Sequence, residues 1–286
     1  MTRRFLGLLS LAFLLSAAAH AQTNASTNAS APDQQLWDAT RRGDAAGVRA
    51  ALAKGANANA KWRYDQTPLF KAAERGDAEI VRILLEHKAD PNLRDTFYGA
   101  TPLTWALDKG HTEVVRALIE SGSKGTEEVL VAGARAGNPE FVKMALAKGG
   151  APAPLLTRVL TVATIRHGAE KDEALKAKRA EIVSMLKEAG AQPPFQVEPA
   201  VLKSYEGAYK NESGQEWKVA INQHGYLTVA PSPTNSFVMI PTDKVTFQPA
   251  EFDGIQITFN VEADRVTGLT FKQGQNPPQV YKRAEK

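Results

Sequence analysis

Apolar positions in the first two thirds of the chain follow a helical period and restart at a fixed interval. Leu69, Ala72 and Ala73 precede Gly76, and Ile80, Val81, Leu84 and Leu85 follow it at i, i+1, i+4 and i+5. Such a stripe is more than one short helix pair can bury. The pattern restarts at Leu103, passes Gly110 and continues through Val114, Val115, Leu118 and Ile119. Thr67 and Thr101 stand 34 positions apart, as do Gly76 and Gly110. Each unit predicts two short helices. Thr at the N-cap accepts a bond from an orphan backbone N–H, Pro follows where its missing N–H costs nothing, and Gly supplies the left-handed residue that ends the first helix. Neighbouring units must stack to bury their stripes.

The register extends in both directions. A degenerate unit runs from Leu36 to Gly43, then Val48 and Leu52, with Gly43 standing 33 positions before Gly76. Its Trp37 and Asp38 fall where the internal units differ, as expected of an N-terminal cap with one wet face. A fourth unit reads Val129 to Gly137, then Phe141 to Leu146; Gly110 and Gly137 are only 27 positions apart, so the connector before it is shortened. A fifth begins near Leu155 and ends with Ile182, Val183 and Leu186. It contains a charged insertion from Ala169 to Ala180, expected to be a helical extension with a solvated face and an Asp172–Lys176 i,i+4 pair.

Thr67-Pro68-Leu69-Phe70-Lys71-Ala72 and Thr101-Pro102-Leu103 resemble the ankyrin repeat, whose period is about 33 residues and whose signature is T-P-L-H-x-A. The resemblance spans residues 33–194, with two clear units at 67–99 and 101–123. It implies an α-helical solenoid that binds other proteins through its finger tips and the concave surface of its first helices. It also makes His111, directly after Gly110, a residue that helps start the second helix.

At Pro193-Pro194 the period changes to two. Trp217–Ile221, Tyr226–Val229, Val245–Phe247, Ile255–Phe259 and Leu269–Phe271 alternate, with turns at Ser213-Gly214, His224-Gly225, Asp264-Arg265 and residues 274–278. Residues 195–286 therefore read as a small antiparallel β-sheet or barrel domain, making the chain a multidomain α plus β protein. Tyr205-Glu206-Gly207-Ala208-Tyr209, Gly225-Tyr226-Leu227, Val266-Thr267-Gly268-Leu269 and Lys282-Arg283 resemble the accessory, lipocalin-like domain of serine β-lactamase-related hydrolases. No hydrolase accompanies it, so the resemblance carries over no activity. Trp217, Phe237, Phe247, Phe259 and Phe271 either fill the barrel as core or line a small apolar cavity.

The N-terminus changes the setting. Basic Met1 to Arg4, an apolar run to Ala18, and Ala19-His20-Ala21 have the form of a bacterial signal peptide over residues 1–21, cleaved before Gln22 and using the general secretory route. Residues 22–32 are Asn/Ala/Ser/Thr-rich and read as a flexible linker. Composition narrows the function classes. Arg3 and Arg4 carry two of the four net positive charges, leaving too little for nucleic acid or an anionic membrane. Absence of cysteine excludes disulfides, thiolate metal sites and a Cys nucleophile. Ser121-Gly122-Ser123-Lys124 and Ser184-Met185-Leu186-Lys187 match S-x-x-K without the companion K-T-G, and no pair of histidines has metal-ligand spacing.

The expectation is a periplasmic, monomeric, non-enzymatic scaffold or adaptor with a protein partner, no cofactor, no metal, no nucleic acid and no membrane span after cleavage. Alternatives are an immunity-type inhibitor of a secreted toxin or hydrolase, and a small-ligand carrier using the β domain. Two surfaces are candidates for the partner. One is the pair of fingers carrying Trp62, Arg63, Tyr64, Phe97 and Tyr98, since aromatic residues dominate binding hot spots, though one or two of these rings could fold back on the hairpins. The other is a stripe of Arg42, Arg75 and Lys109 before the helix-ending glycines.

Overall fold

The computed structural model of the chain describes residues 30–250 and 254–284, with the side chains of residues 166–169 excepted. The leader over residues 1–21 and residues 22–29 of the linker lie outside the described residues. The linker ends earlier than expected: Ser30 caps a helix that already includes Ala31 and Pro32, and Asp33 completes a capping box.

Five helix pairs stack in sequence order among the described residues: α1 (Ala31–Arg42) with α2 (Ala45–Ala53), α3 (Pro68–Arg75) with α4 (Ala78–Glu86), α5 (Pro102–Lys109) with α6 (Thr112–Glu120), α7 (Thr126–Ala136) with α8 (Pro139–Lys148), and α9 (Ala153–Ala169) with α10 (Glu173–Glu188). First helices pack on first helices and second on second. Leu36, Leu69, Leu84, Leu103 and Leu118 are fully buried between them, each contributing about 1.5–3 kcal/mol on hydrophobic transfer. The predicted register holds, for Gly43, Gly76, Gly110 and Gly137 all take the left-handed conformation after a first helix.

Two polar ladders keep the stack in register. On the second helices Arg49 pairs with Glu79 at 3.0 Å, Arg82 with Glu113 at 3.3 Å and Arg116 with Glu140 at 3.3 Å. All are solvated, so each is worth under about 1 kcal/mol beside the buried leucines. On the finger side Asn59 accepts from the Asp90 N–H and Asn92 from the Lys124 N–H, both at 2.7 Å.

Three local expectations fail. Thr101 forms a capping box with Thr104, but Thr67 makes no capping bond and its Oγ1 is buried unpaired; its N3 residue is Phe70, which has no hydroxyl to reciprocate. Asp172 does not pair with Lys176. It caps α10 by accepting from the Ala174 and Leu175 N–H groups, leaving Lys176 to Glu173 at 3.5 Å. The charged insertion is not wholly solvated either. Arg179 is buried, pairs with Glu170 at 3.3 Å and donates to the Ala134 and Arg135 carbonyls at the end of α7. Those are carbonyls a helix C-terminus leaves without an intrahelical partner.

Among the described residues, eight strands form a closed antiparallel barrel, each beside its sequence neighbours: β1 (Gly207–Lys210), β2 (Glu216–Ile221), β3 (Leu227–Ser232), β4 (Asn235–Pro241), β5 (Thr246–Pro249), β6 (Ile255–Glu262), β7 (Arg265–Gln273) and β8 (Gln279–Arg283). β1 and β8 close it through Tyr209–Arg283 and Lys210–Lys282. The core-filling alternative is the one observed for its interior. Tyr209, Trp217, Phe247, Phe259 and Tyr281 are buried there, while Phe237 and Phe271 are only partly buried against them. A short helix α11 (Pro199–Ser204), which the alternation did not reveal, delivers Tyr205 to this core. Its ring stacks on Phe259 at 4.1 Å and its hydroxyl donates to the Lys244 carbonyl at 3.0 Å. Burial pushes the Tyr209 phenol up to about 12. Val162 of α9 packs against Ile240 and Ala250, joining the helical stack to the barrel.

Candidate functional site

The backbone of the first finger aims its rings. In the 3-10 turn Arg63–Asp65, Tyr64 and Asp65 both take positive φ, 60° and 58°, at a cost of about 1 kcal/mol or more each for residues with a Cβ. The turn is held by Trp62 N–H donating to the Gln66 carbonyl at 2.8 Å and by Lys61 pairing with Asp65 at 3.1 Å. In the second finger the Asp95 carboxylate accepts from the Phe97 and Tyr98 N–H groups, winding the tip into a tight turn. The Thr96 N–H then donates to the Tyr64 carbonyl at 2.9 Å, tying one tip to the other.

This brings three of the predicted rings into one chain that ends on a residue of α5. Tyr64 meets Phe97 at 5.0 Å, Phe97 meets Tyr98 at 4.5 Å and Tyr98 meets Trp105 at 5.7 Å, all tilted or edge-on. Tyr64, Phe97 and Tyr98 remain 40%, 58% and 47% exposed. With Phe70 and Glu74 the rings line a groove of about 200 Å³. The Arg63 guanidinium lies over the Tyr64 ring at 4.8 Å, completing the exposed face.

Trp62 takes a different course. It turns back onto Trp37, stacking at 4.6 Å with planes 6° apart, so its face is spent on the cap of the array. The basic stripe is largely neutralised: Arg75 pairs with Asp77 at 2.7 Å and Lys109 with Asp108 at 3.4 Å. Arg42 is exposed at the end of α1. The structure does not bring these three cations into the aromatic groove.

Two features escaped the sequence reading. Trp105 occupies the x of T-P-L-H-x-A, a position of the first helix that faces the fingers, and that register was the available signal. Its Nε1 is buried without an acceptor, and the buried Asp95 Oδ2 and Thr67 Oγ1 are likewise unpaired. These are three of the four such atoms among the described residues, all in the second and third repeats; buried polar groups in native proteins are rarely left so. The second feature is a notch of about 730 Å³ lined by Asn92, Arg94, Lys124, Glu127 and Gly149, where the shortened connector supplies no finger.

The S-x-x-K serines are engaged elsewhere: Ser121 donates to the Leu118 carbonyl and Ser184 to the Glu188 carboxylate, not to the lysines of their motifs. Among the described residues no group of three or more His, Asp or Glu side chains is placed to hold a metal ion, and no helix is long and apolar enough to cross a membrane.

Residues 36–129 match the family model for ankyrin repeats in three copies. The match begins within α1, covers the rest of the first three helix pairs and reaches the first turn of α7, so it takes in both aromatic fingers. No curated protein matches the chain. The helical region is thus an ankyrin-repeat array, a protein–protein interaction module, followed by a closed eight-stranded barrel.

Proposed function

We propose that the protein is an exported scaffold or adaptor that binds a protein of the periplasm or cell envelope through its aromatic fingers, with no catalysis of its own. The observation that carries this reading is the unbroken chain of rings from Tyr64 to Trp105, whose three outer members are exposed, Tyr64 among them on a turn of positive φ. Exposed rings that contribute little to the core are characteristic of hot spots. The packed aromatic interior of the barrel favours an accessory role over that of a ligand carrier, in keeping with its resemblance to the appended domain of β-lactamase-related hydrolases. Export rests on the leader pattern, and N-terminal sequencing of periplasmic protein should begin at Gln22; an intact leader in the membrane fraction would refute it.

The binding reading is tested by affinity purification from envelope extract. Tyr64→Ala with Tyr98→Ala removes ring contacts worth about 1 kcal/mol or more of stability and should, in the still folded protein, weaken binding of the recovered partner by about 2 kcal/mol or more. A variant that melts lower but binds its partner as before would show that the rings serve packing.

A further inference from the structure

We infer that the finger tips recognise an acidic segment of the partner, with carboxylates on Arg63 and Arg94 and one apolar side chain in the groove between them. The inference rests on the protein-binding reading above and specifies the partner's chemistry.

Charge sets these tips apart from the rest of the first three repeats. On the second helices Arg49, Arg82 and Arg116 each hold a glutamate, and at the end of α3 Arg75 holds Asp77. Arg41 and Arg42 close α1, where the helix dipole favours a cation. Arg63 and Arg94 are exposed and have no carboxylate partner among the described residues. The acids beside them in the chain are engaged. Asp65 pairs with Lys61 at 3.1 Å, and the buried Asp95 accepts from the Phe97 and Tyr98 N–H groups.

Both guanidinium groups are nevertheless held in place. Arg63 lies over the Tyr64 ring at 4.8 Å, and Arg94 donates from Nη1 to the Gly99 carbonyl at 2.7 Å. Each has lost part of its side-chain freedom before binding and keeps most of its five N–H donors for a bidentate grip on a carboxylate. They stand at opposite ends of the exposed rings, Arg63 on Tyr64 and Arg94 at the residue after Tyr98, where it also lines the notch. The bond from Thr96 to Tyr64 ties the two tips together. An extended segment advances about 3.3 Å per residue and turns alternate side chains to one face, so a few residues can present acid, ring and acid on the same side. The groove of about 200 Å³ has room for that one ring, whereas small-molecule pockets run to about 300–1,000 Å³.

The same charges disfavour the rivals. A basic side chain would suit the ring faces, but it would meet Arg63 and Arg94 at either end, and Glu74, the one carboxylate lining the groove, is held by Lys71 at 2.7 Å. A single-stranded nucleic acid brings anions and flat bases, but it follows a continuous cationic track, and Arg75 and Lys109 are already paired.

A fluorescein-labelled peptide containing Glu-Gly-Phe-Gly-Glu, its Gln-for-Glu and Lys-for-Glu counterparts, and an oligothymidylate are titrated into the purified protein and followed by anisotropy. The Glu peptide should bind about tenfold more tightly than the Gln peptide, or about 1.4 kcal/mol, with the Lys peptide and the oligothymidylate weaker still. Rising salt should shrink that preference. Arg63→Glu with Arg94→Glu should invert it in favour of the Lys peptide, an outcome that a merely structural role of the two arginines would not produce. Arg63→Gln with Arg94→Gln should abolish it, and serves should the charge reversal fold poorly. No binding of the Glu peptide at millimolar concentration, equal binding of the Glu and Gln peptides, a preference unmoved by the variants, or tighter binding of the Lys peptide or the oligothymidylate to the unaltered protein would overturn the proposal. If the Arg63→Gln/Arg94→Gln variant keeps the partner recovered from envelope extract while the Tyr64/Tyr98 double variant loses it, this inference falls and the protein-binding reading stands. If both variants keep that partner, both fall.

Discussion

Substituting Gly76 by alanine tests the repeat geometry at a point where two costs can be separated. Gly76 has φ +80° at the end of α3, and an added Cβ would lie 2.7 Å from Cε1 and Nδ1 of His111. That ring holds its place by donating Nε2–H to the Glu74 carbonyl at 3.2 Å. The left-handed conformation costs a residue with a Cβ about 1–2 kcal/mol. Displacing His111 forfeits a hydrogen bond worth about 1 kcal/mol. Gly76→Ala should therefore destabilise the array by about 2–3 kcal/mol, roughly 5–10 °C in melting temperature for a region of this size, and Gly76→Val by more. Gly110 supplies the control. It has φ +71° with nothing within 4 Å of an added Cβ, so Gly110→Ala should cost only the backbone part. Urea unfolding followed by helical circular dichroism reads the array, because the barrel carries little helix. The two alanine variants should differ by about 1 kcal/mol, and His111→Ala should abolish that difference in a double-mutant cycle. Equal losses at Gly76 and Gly110, or no loss at either, would refute the reasoning.

Three further outcomes are expected. Arg179→Met should lower the melting temperature by an amount equivalent to about 2 kcal/mol, since it strands the Ala134 and Arg135 carbonyls; an unchanged melt would mean that apolar packing alone holds the fifth repeat. Trp62→Ala should destabilise the array by about 1 kcal/mol through loss of the Trp37 stack without changing partner affinity, in contrast to Tyr98→Ala; weaker binding with an unchanged melt would return Trp62 to the interface. The barrel should lose stability above about pH 10. The unfolded state ionises near the ordinary tyrosine value while buried Tyr209 stays neutral up to about 12, so the folded state binds more protons and stability falls by about 1.4 kcal/mol per pH unit in that window. Tyr209→Phe should make that slope shallower without abolishing it, because burial also raises the Tyr205 and Tyr281 phenols; urea titrations across the window measure it, and identical slopes would exclude a contribution from Tyr209.

Much of the architecture was legible along the chain because its causes are local and periodic. The spacing of Thr67 and Thr101, the glycines that end first helices and the apolar stripes between them fixed five helix pairs. Alternation at Trp217, Phe247 and Phe259 fixed strands of a small sheet. Alternation alone did not settle barrel closure, since pairing of β1 with β8 joins segments about seventy residues apart and depends on the curvature of the whole sheet. Nor did it disclose α11, whose six residues are too short to show a period.

The candidate site divides along the same line. Its aromatic fingers were visible in the sequence because large rings in connector positions are conspicuous once the repeat register is known. Which rings act together was decided in space. Trp62 and Tyr64 are two residues apart, yet the left-handed turn at Tyr64 and Asp65 sends one ring to Trp37 and the other to Phe97. Trp105 lies 41 positions from Tyr64 and joins the groove only because stacking sets α5 beneath the finger tips. Arg179 is polar by composition but buried, because α10 carries it across the end of α7 where unpaired carbonyls attract a cation. Sequence determined the repeating units and their ends, which depend on neighbours a few residues away; the tertiary structure decided which side chains meet, because those meetings depend on how the units stack.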